Sequence, residues 1–301
     1  MIETAHTARE SSFPRARAAS FLGRLPSYTY LGLLLNVAAW VSSWGRIGPY
    51  GYTFFPLWFG FILVLDGLNV ARRGTSPLTR NPARFAALFL FSVPVWWIFE
   101  AFNAAVQNWH YVLDRPQSGL EYNVWASLAF STVLPAEVEM AELLSSFKAL
   151  RPRPRPPARE RRLSTRLALV SMAGGVAMAA LAVLVPHYAF ALIWGCLIFL
   201  LDPINNLAGR KSVWGHLLAR DWRFPVTLAV AGLCDGFFWE MWNAHALPHW
   251  YYTVPIVNNA PHLFAMPLPG YLGYLPFGLE LFAMYQFGLL VTRRRTDALA
   301  M

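Results

Sequence analysis

Eight long apolar stretches, separated by short polar segments, run along this 301-residue chain: about 28–44, 52–70, 85–108, 122–147, 167–186, 188–208, 224–244 and 270–292. An α-helix rises ~1.5 Å per residue, so a helix of roughly 20 residues matches a ~30 Å hydrocarbon core. Such a segment must close its own backbone hydrogen bonds, and the pattern therefore predicts eight transmembrane helices. Pro56, Pro94, Pro135 and Pro276 fall inside these stretches. They are expected to kink the helices and free carbonyls for other partners. The first stretch is as long as a span and has no clear small-x-small exit, so it reads as an uncleaved helix.

The basic residues fix an expected orientation. Four precede the first stretch (Arg9, Arg15, Arg17, Arg24), four follow the second, eight the fourth, four the sixth and three the eighth, which is 23 of 25. Only Arg46 and Arg115 fall in the alternate loops. The positive-inside rule then places both termini in the cytoplasm of a multi-pass protein of the inner (plasma) membrane. Composition agrees, at 56% hydrophobic and 14% charged residues. That is too little charge to cover a water-facing surface and argues against disorder, a secreted disulfide scaffold or an ordinary cytosolic enzyme. The net charge of +9 lies between apolar stretches, not along one basic element, so nucleic acid is not an expected partner. Cys196 and Cys234, the two cysteines, make no disulfide framework or thiolate metal site.

The sequence divides into an N-terminal tail (1–27), a first set of four spans (28–149), a Pro/Arg-rich linker (150–163), a second set of four (164–292) and a C-terminal tail (293–301). The two sets match. Tyr52, Phe54, Trp58, Asp66 and Asn69 recur as Tyr188, Phe190, Trp194, Asp202 and Asn205 at an offset of 136. Glu100 and Asn103 recur as Glu240 and Asn243 at 140, and Trp109, Tyr111, Pro135 and Glu139 as Trp250, Tyr252, Pro276 and Glu280 at 141. With four spans per half, both halves begin on the same side. The expected fold is an all-α integral membrane protein built as a tandem 4+4 parallel repeat about the membrane normal.

Nine carboxylates fall within the spans, and no Lys or Arg lies deep among them. Intramembrane acids are costly and default to a functional hypothesis. Without a cation nearby they are expected to sit neutral in a dry pocket, hydrogen-bonded by asparagines. Glu100, Glu137, Glu139, Glu240 and Glu280 are the candidate catalytic acids. Asp66 and Asp202, near the basic side, read as helix-end caps or interfacial contacts, and Glu142 and Asp235 as structural. Trp97, Phe99, Phe238 and Trp239 lie deep enough for their π-faces to shelter a positive charge. Trp109, Tyr111, Trp250 and Tyr252 stand at the outer helix ends, where an interfacial aromatic belt is also expected. Asn103, Asn243, Trp97, Trp239, Phe238, Trp109 and Trp250 are the candidate substrate-binding residues. His245, His249 and His262 share one loop, where Pro248 interrupts any helical metal pairing, and no metal site is expected.

The segments WWIFEAFNAAVQNWHY…LPAEVEMAE and FFWEMWNAHALPHWYY…LPFGLELF resemble the membrane-embedded carotenoid cyclases of the heterodimeric lycopene cyclase type, whose halves are also duplicated. That family has an aromatic-acid segment, W-x-F, and then P-x-E-E. Here the first acid is Glu rather than Asp, Glu137 and Glu139 are two apart, and Gly278 stands where a second-half acid is expected. The resemblance implies an acid-catalysed cyclase or hydratase of a lipid-soluble isoprenoid, with Glu100, Glu137 and Glu240 as acids and no cofactor. Its partners would be that substrate and membrane lipids. A proton- or cation-coupled carrier and a non-catalytic lipid-binding protein remain the alternatives.

Overall fold

The computed structural model describes residues 21–152, 162–294 and 297–300. The N-terminal tail up to residue 20 and linker residues 153–161 lie outside the described residues. The chain is mostly helical. The helices are α1 (Ser27–Gly45), α2 (Phe54–Arg73), α3 (Pro77–Arg80), α4 (Pro82–Val106), α5 (Gly119–Phe130), α6 (Val133–Ser145), α7 (Thr165–Leu184), α8 (Pro186–Ala189), α9 (Cys196–Leu207), α10 (Val213–Leu218), α11 (Arg223–Asn243) and α12 (Tyr274–Val291). Short strands β1 (Trp109–Val112) and β2 (His249–Tyr252) pair with each other, as do β3 (His262–Leu263) and β4 (Met266–Pro267).

Five helical stretches are long and apolar enough to cross a membrane: Phe54–Arg73, Pro82–Val106, Thr165–Leu184, Pro186–Leu207 and Leu268–Val291. By length and composition the chain is a multi-pass membrane protein. Leu31, Leu34, Leu90, Val170 and Leu184 point outward, which suits lipid better than water.

Three of the four prolines stand in a first helical turn and the fourth inside a helix. Pro56 and Pro276 each occupy the third residue of a helix, α2 and α12. The first turn has no intrahelical acceptor for its N–H groups, so no hydrogen bond is lost and the expected kink is not needed there. Pro135 is likewise the third residue of α6, just past the point where the expected span 122–147 divides into α5 and α6. Its ring opposes the carbonyl of Ser131, four residues back. Ser92 bridges the break. Its hydroxyl donates to Phe130 O at 2.6 Å and accepts from Leu134 N at 3.0 Å. Pro94, by contrast, is carried inside the 25-residue α4.

The long helices pack in a recurring scheme. α2 lies against α1 and α6, and α9 against α7 and α12. α4 packs on α6 and α11 on α12, while α6 meets α11 and α4 meets α12 across the middle. Trp58, Phe99, Phe277 and Leu281 are fully buried at this centre. On one side, β1 and β2 form an antiparallel ribbon that places Trp109 opposite Tyr252 and Tyr111 opposite Trp250.

Candidate functional site

Glu100 sits in the penultimate turn of α4, and its Oε1 is a focus for donors. Trp96 Nε1 reaches it from one turn back at 3.0 Å, Trp109 Nε1 at 3.0 Å and Tyr111 OH at 2.6 Å. Glu240 holds the same place near the end of α11. Its Oε1 accepts from Tyr252 OH at 2.6 Å, Tyr274 OH at 2.7 Å and, more weakly, Trp250 Nε1 at 3.4 Å. Trp250 Nε1 also donates to Tyr252 OH at 2.8 Å. An indole N–H can only donate, so these oxygens are acceptors. Three donors therefore converge on one oxygen of each acid.

The W-x-Y spacing explains the geometry. In a strand, residues two apart share a face, so one short strand delivers an indole and a phenol together. An asparagine fixes each strand against its helix. Asn103 Nδ2 donates to Trp109 O at 2.8 Å while its Oδ1 accepts from Asn108 N at 2.9 Å and Trp109 N at 3.2 Å. Asn243 bonds Trp250 O at 2.7 Å and Trp250 N at 2.8 Å. These two asparagines therefore bond the strand backbone and not the neighbouring acids, contrary to expectation. Burial, and then the adjacent carboxyl, push the Tyr111 and Tyr252 phenols well above the usual 10.0, so both stay protonated donors.

The donors surround a cavity of about 560 Å³, within the ~300–1,000 Å³ range of small-molecule sites. Trp96, Trp109, Tyr111, Trp250, Tyr252 and Tyr274 all line it, as do Trp58, Trp194, Trp239, Trp242 and Phe277. Among the described residues, no Lys, Arg, Asp or Glu is in the wall. Glu100 and Glu240 stand one hydrogen bond behind it. Tyr111 and Tyr252 thus belong to a cavity wall rather than to an interfacial belt alone. Of the expected binding residues, Trp109, Trp239, Asn243 and Trp250 line the cavity, whereas Trp97, Asn103 and Phe238 do not. Trp97 donates to Ser127 Oγ at 3.0 Å, and Phe238 packs on Phe61 at 4.7 Å between ring centroids. Trp58, Trp194 and Tyr274 were missed as site residues. For the first two a signal existed, since they match each other across the chain. Tyr274 has no such counterpart.

The remaining acids lie elsewhere. Asp202 accepts from Val213 N and Trp214 N, both at 2.8 Å, at the start of α10, and Asp66 accepts from Leu78 N at 3.0 Å in α3 and from the Tyr28 hydroxyl. These are helix-end contacts. Glu280 Oε1 accepts from Leu197 N at 2.8 Å in the first turn of α9, satisfying one of that helix's orphan donors. Glu139 Oε2 accepts from Asn69 Nδ2 at 2.8 Å, with Asp66 beside it. Glu142 is ion-paired with Arg80 through both oxygens and accepts from Ala300 N at 2.7 Å, so this acid does have a cation, supplied by α3. Glu137 and Asp235 are buried, and none of their four oxygens has a partner. Glu139, Glu280 and Glu137 therefore do not join Glu100 and Glu240 at the large cavity.

Among the described residues, no group of three or more His, Cys, Asp or Glu could hold a metal ion. Compared with known proteins, the chain matches no family model, no curated protein and no solved structure. Fold and site together define a mostly helical, multi-pass membrane protein with an aromatic cavity backed by two carboxyls.

Proposed function

We propose that the protein is an integral membrane enzyme that isomerises or hydrates a lipid-soluble isoprenoid polyene by proton transfer. One observation carries the reading: Tyr111 and Tyr252 line a single aromatic cavity, and each donates to a buried or half-buried glutamate behind it. In the acid-ready state, Glu240 donates to the Tyr252 oxygen while the tyrosine proton faces the cavity. Protonation of an alkene carbon moves both protons one step, leaving a Glu240 carboxylate and a neutral tyrosine. The indoles stabilise the cation through their π-faces. Tyr111 then takes an allylic proton in the isomerisation, or a proton of the water that adds to the cation in the hydration, as its own passes to Glu100. General acid–base groups of this kind contribute about 10²–10⁴-fold. The chemistry requires no redox cofactor, and the resemblance to lycopene cyclase-type enzymes points the same way.

The same reading takes the architecture as eight spans in a parallel 4+4 repeat with the basic face cytoplasmic. In its support, each half uses the same helix pairs, α1 with α2 and α7 with α9, then α2 with α6 and α9 with α12. The β1–β2 register also exchanges Trp109/Tyr252 for Tyr111/Trp250, as a local two-fold axis would require. On this topology the cavity opens toward the outer leaflet. The test is pigment analysis after expression in a lycopene-producing host. New cyclised or hydrated product is expected with the native chain and lost with Tyr252→Phe. An unchanged lycopene pool in both would reject the reaction.

A further inference from the structure

Glu100 and Glu240 each gather three donors on one oxygen, but the third donor comes from a different place. Four residues before Glu100 stands Trp96, whose indole reaches Oε1 from the same helix at 3.0 Å. Four residues before Glu240 stands Gly236, which has no side chain to offer. Tyr274, the first residue of α12, takes over and donates to Glu240 Oε1 at 2.7 Å. A Cβ at position 236 would lie 2.4 Å from Cγ and Cδ2 of the Tyr274 ring, far inside van der Waals contact. A glycine inside a helix is unfavourable, and here it is what admits the phenol. Trp239, stacked on the Tyr274 ring at 6.1 Å between centroids, flanks it. Where α4 supplies an indole to its own acid, α11 leaves a gap and α12 fills it with a hydroxyl.

The other donors at Glu240 have separate tasks. Trp250 Nε1 is 3.4 Å from Glu240 Oε1 but 2.8 Å from Tyr252 OH, so it serves the phenol more than the acid. Tyr252 is the group that hands on the proton. Glu240 is 0% exposed and its Oε2 has no hydrogen-bond partner. Charge that develops on this acid is therefore met at Oε1, and Tyr274 is the close donor left to meet it. Glu100 is half-buried and keeps two indoles at 3.0 Å.

We propose that Tyr274 is a positioning residue for Glu240, holding the carboxylate that forms when the acid releases its proton. This role rests on the reading of Glu240 as the acid. In that step the Glu240 O–H bond breaks as one forms on the Tyr252 oxygen. The Tyr252 proton goes to the alkene carbon, whose π pair makes the new C–H bond, and Tyr274 keeps its own proton throughout. Before the step Tyr274 donates to a neutral carboxyl, and afterwards to an anion. Charge-assisted hydrogen bonds are about twice as strong as neutral ones, so the bond tightens as charge develops and favours turnover more than substrate binding.

The test follows lycopene conversion by the purified full chain in proteoliposomes. Tyr274→Phe should lower kcat about 100-fold, the size of effect when one preorganised donor to a developing charge is removed, with KM and the unfolding midpoint little changed. Tyr271→Phe is the control. Its hydroxyl donates to Leu263 O at 3.1 Å and it does not line the cavity, so native turnover is expected. Gly236→Trp combined with Tyr274→Val returns an indole to the place that Trp96 holds beside Glu100, and should recover most of the lost kcat. Native kcat in Tyr274→Phe would overturn the role, as would a raised KM or lowered midpoint that accounts for the loss. A folded pair variant as slow as Tyr274→Phe would make Tyr274 a proton carrier and overturn its assignment as a donor that keeps its proton. If the pair variant does not fold, Tyr274→Phe and its control decide. No product from the native chain would reject the reaction and this role together, whereas an active native chain with an equally active Tyr274→Phe would reject the role alone.

Discussion

Glu240 and Glu280 are both fully buried glutamates of the second half, and both recur in the first half as Glu100 and Glu139. Their surroundings differ. Glu240 takes hydroxyl and indole donors that themselves face a cavity, whereas Glu280 takes a backbone N–H at the start of α9. A carboxyl behind a cavity can exchange protons with whatever fills it. A carboxyl on a helix end is spent on the fold. Recurrence within a sequence thus marks an acid as important without saying which of these two kinds it is.

The largest expected effect separates the kinds by activity. Glu240→Gln should lower product formation by roughly 100-fold or more and leave thermal stability nearly unchanged, because an amide oxygen still accepts from Tyr252 and Tyr274. Equal loss of product and stability would put Glu240 in the same class as Glu280. Next in size, Glu142→Ala strips a bidentate partner from Arg80 and an acceptor from Ala300 N. The loss should approach ~3 kcal/mol, read as a lowered unfolding midpoint in detergent. An unchanged midpoint would show the pair to be solvated.

Smaller again is Glu280→Ala, which leaves Leu197 N–H buried without an acceptor and should cost about 1–3 kcal/mol. Glu280→Gln should restore most of that stability with product formation intact, and a failure of Gln to do so would give the acid a role beyond its oxygen. The smallest effect lies outside the helices that cross. Arg115, on the loop after α4, bonds Glu121 and holds its carboxyl below the ordinary 4.5. A depressed carboxyl adds stability above its unfolded value and loses it as pH falls through the folded one. Arg115 is exposed and Glu121 only half-buried, so Glu121→Gln should change the midpoint barely at neutral pH and not at all in high salt. A salt-resistant shift would mean that this loop is buried by something else.

Particular residues mark how far the pattern along the chain could be read. Helix positions followed from apolar length because a backbone in hydrocarbon has one economical solution. The helices Phe54–Arg73, Pro82–Val106 and Thr165–Leu184 begin and end within a few residues of the expected stretches. Glu100, Glu240, Trp109 and Trp250 were visible as site candidates because their spacing repeats. Asp66 and Asp202 read from the sequence as helix-end caps or interfacial contacts, and they bond the backbone at the starts of α3 and α10. Tertiary structure alone decided which acids share a cavity, since that depends on how α4, α11 and the β1–β2 ribbon come together across residues far apart in the chain. It paired Glu142 with Arg80, a contact that no local spacing encodes. It also gave Pro135 and Pro94 different places, since Pro135 stands in the first turn of α6, where a missing N–H is harmless, and Pro94 is carried inside α4.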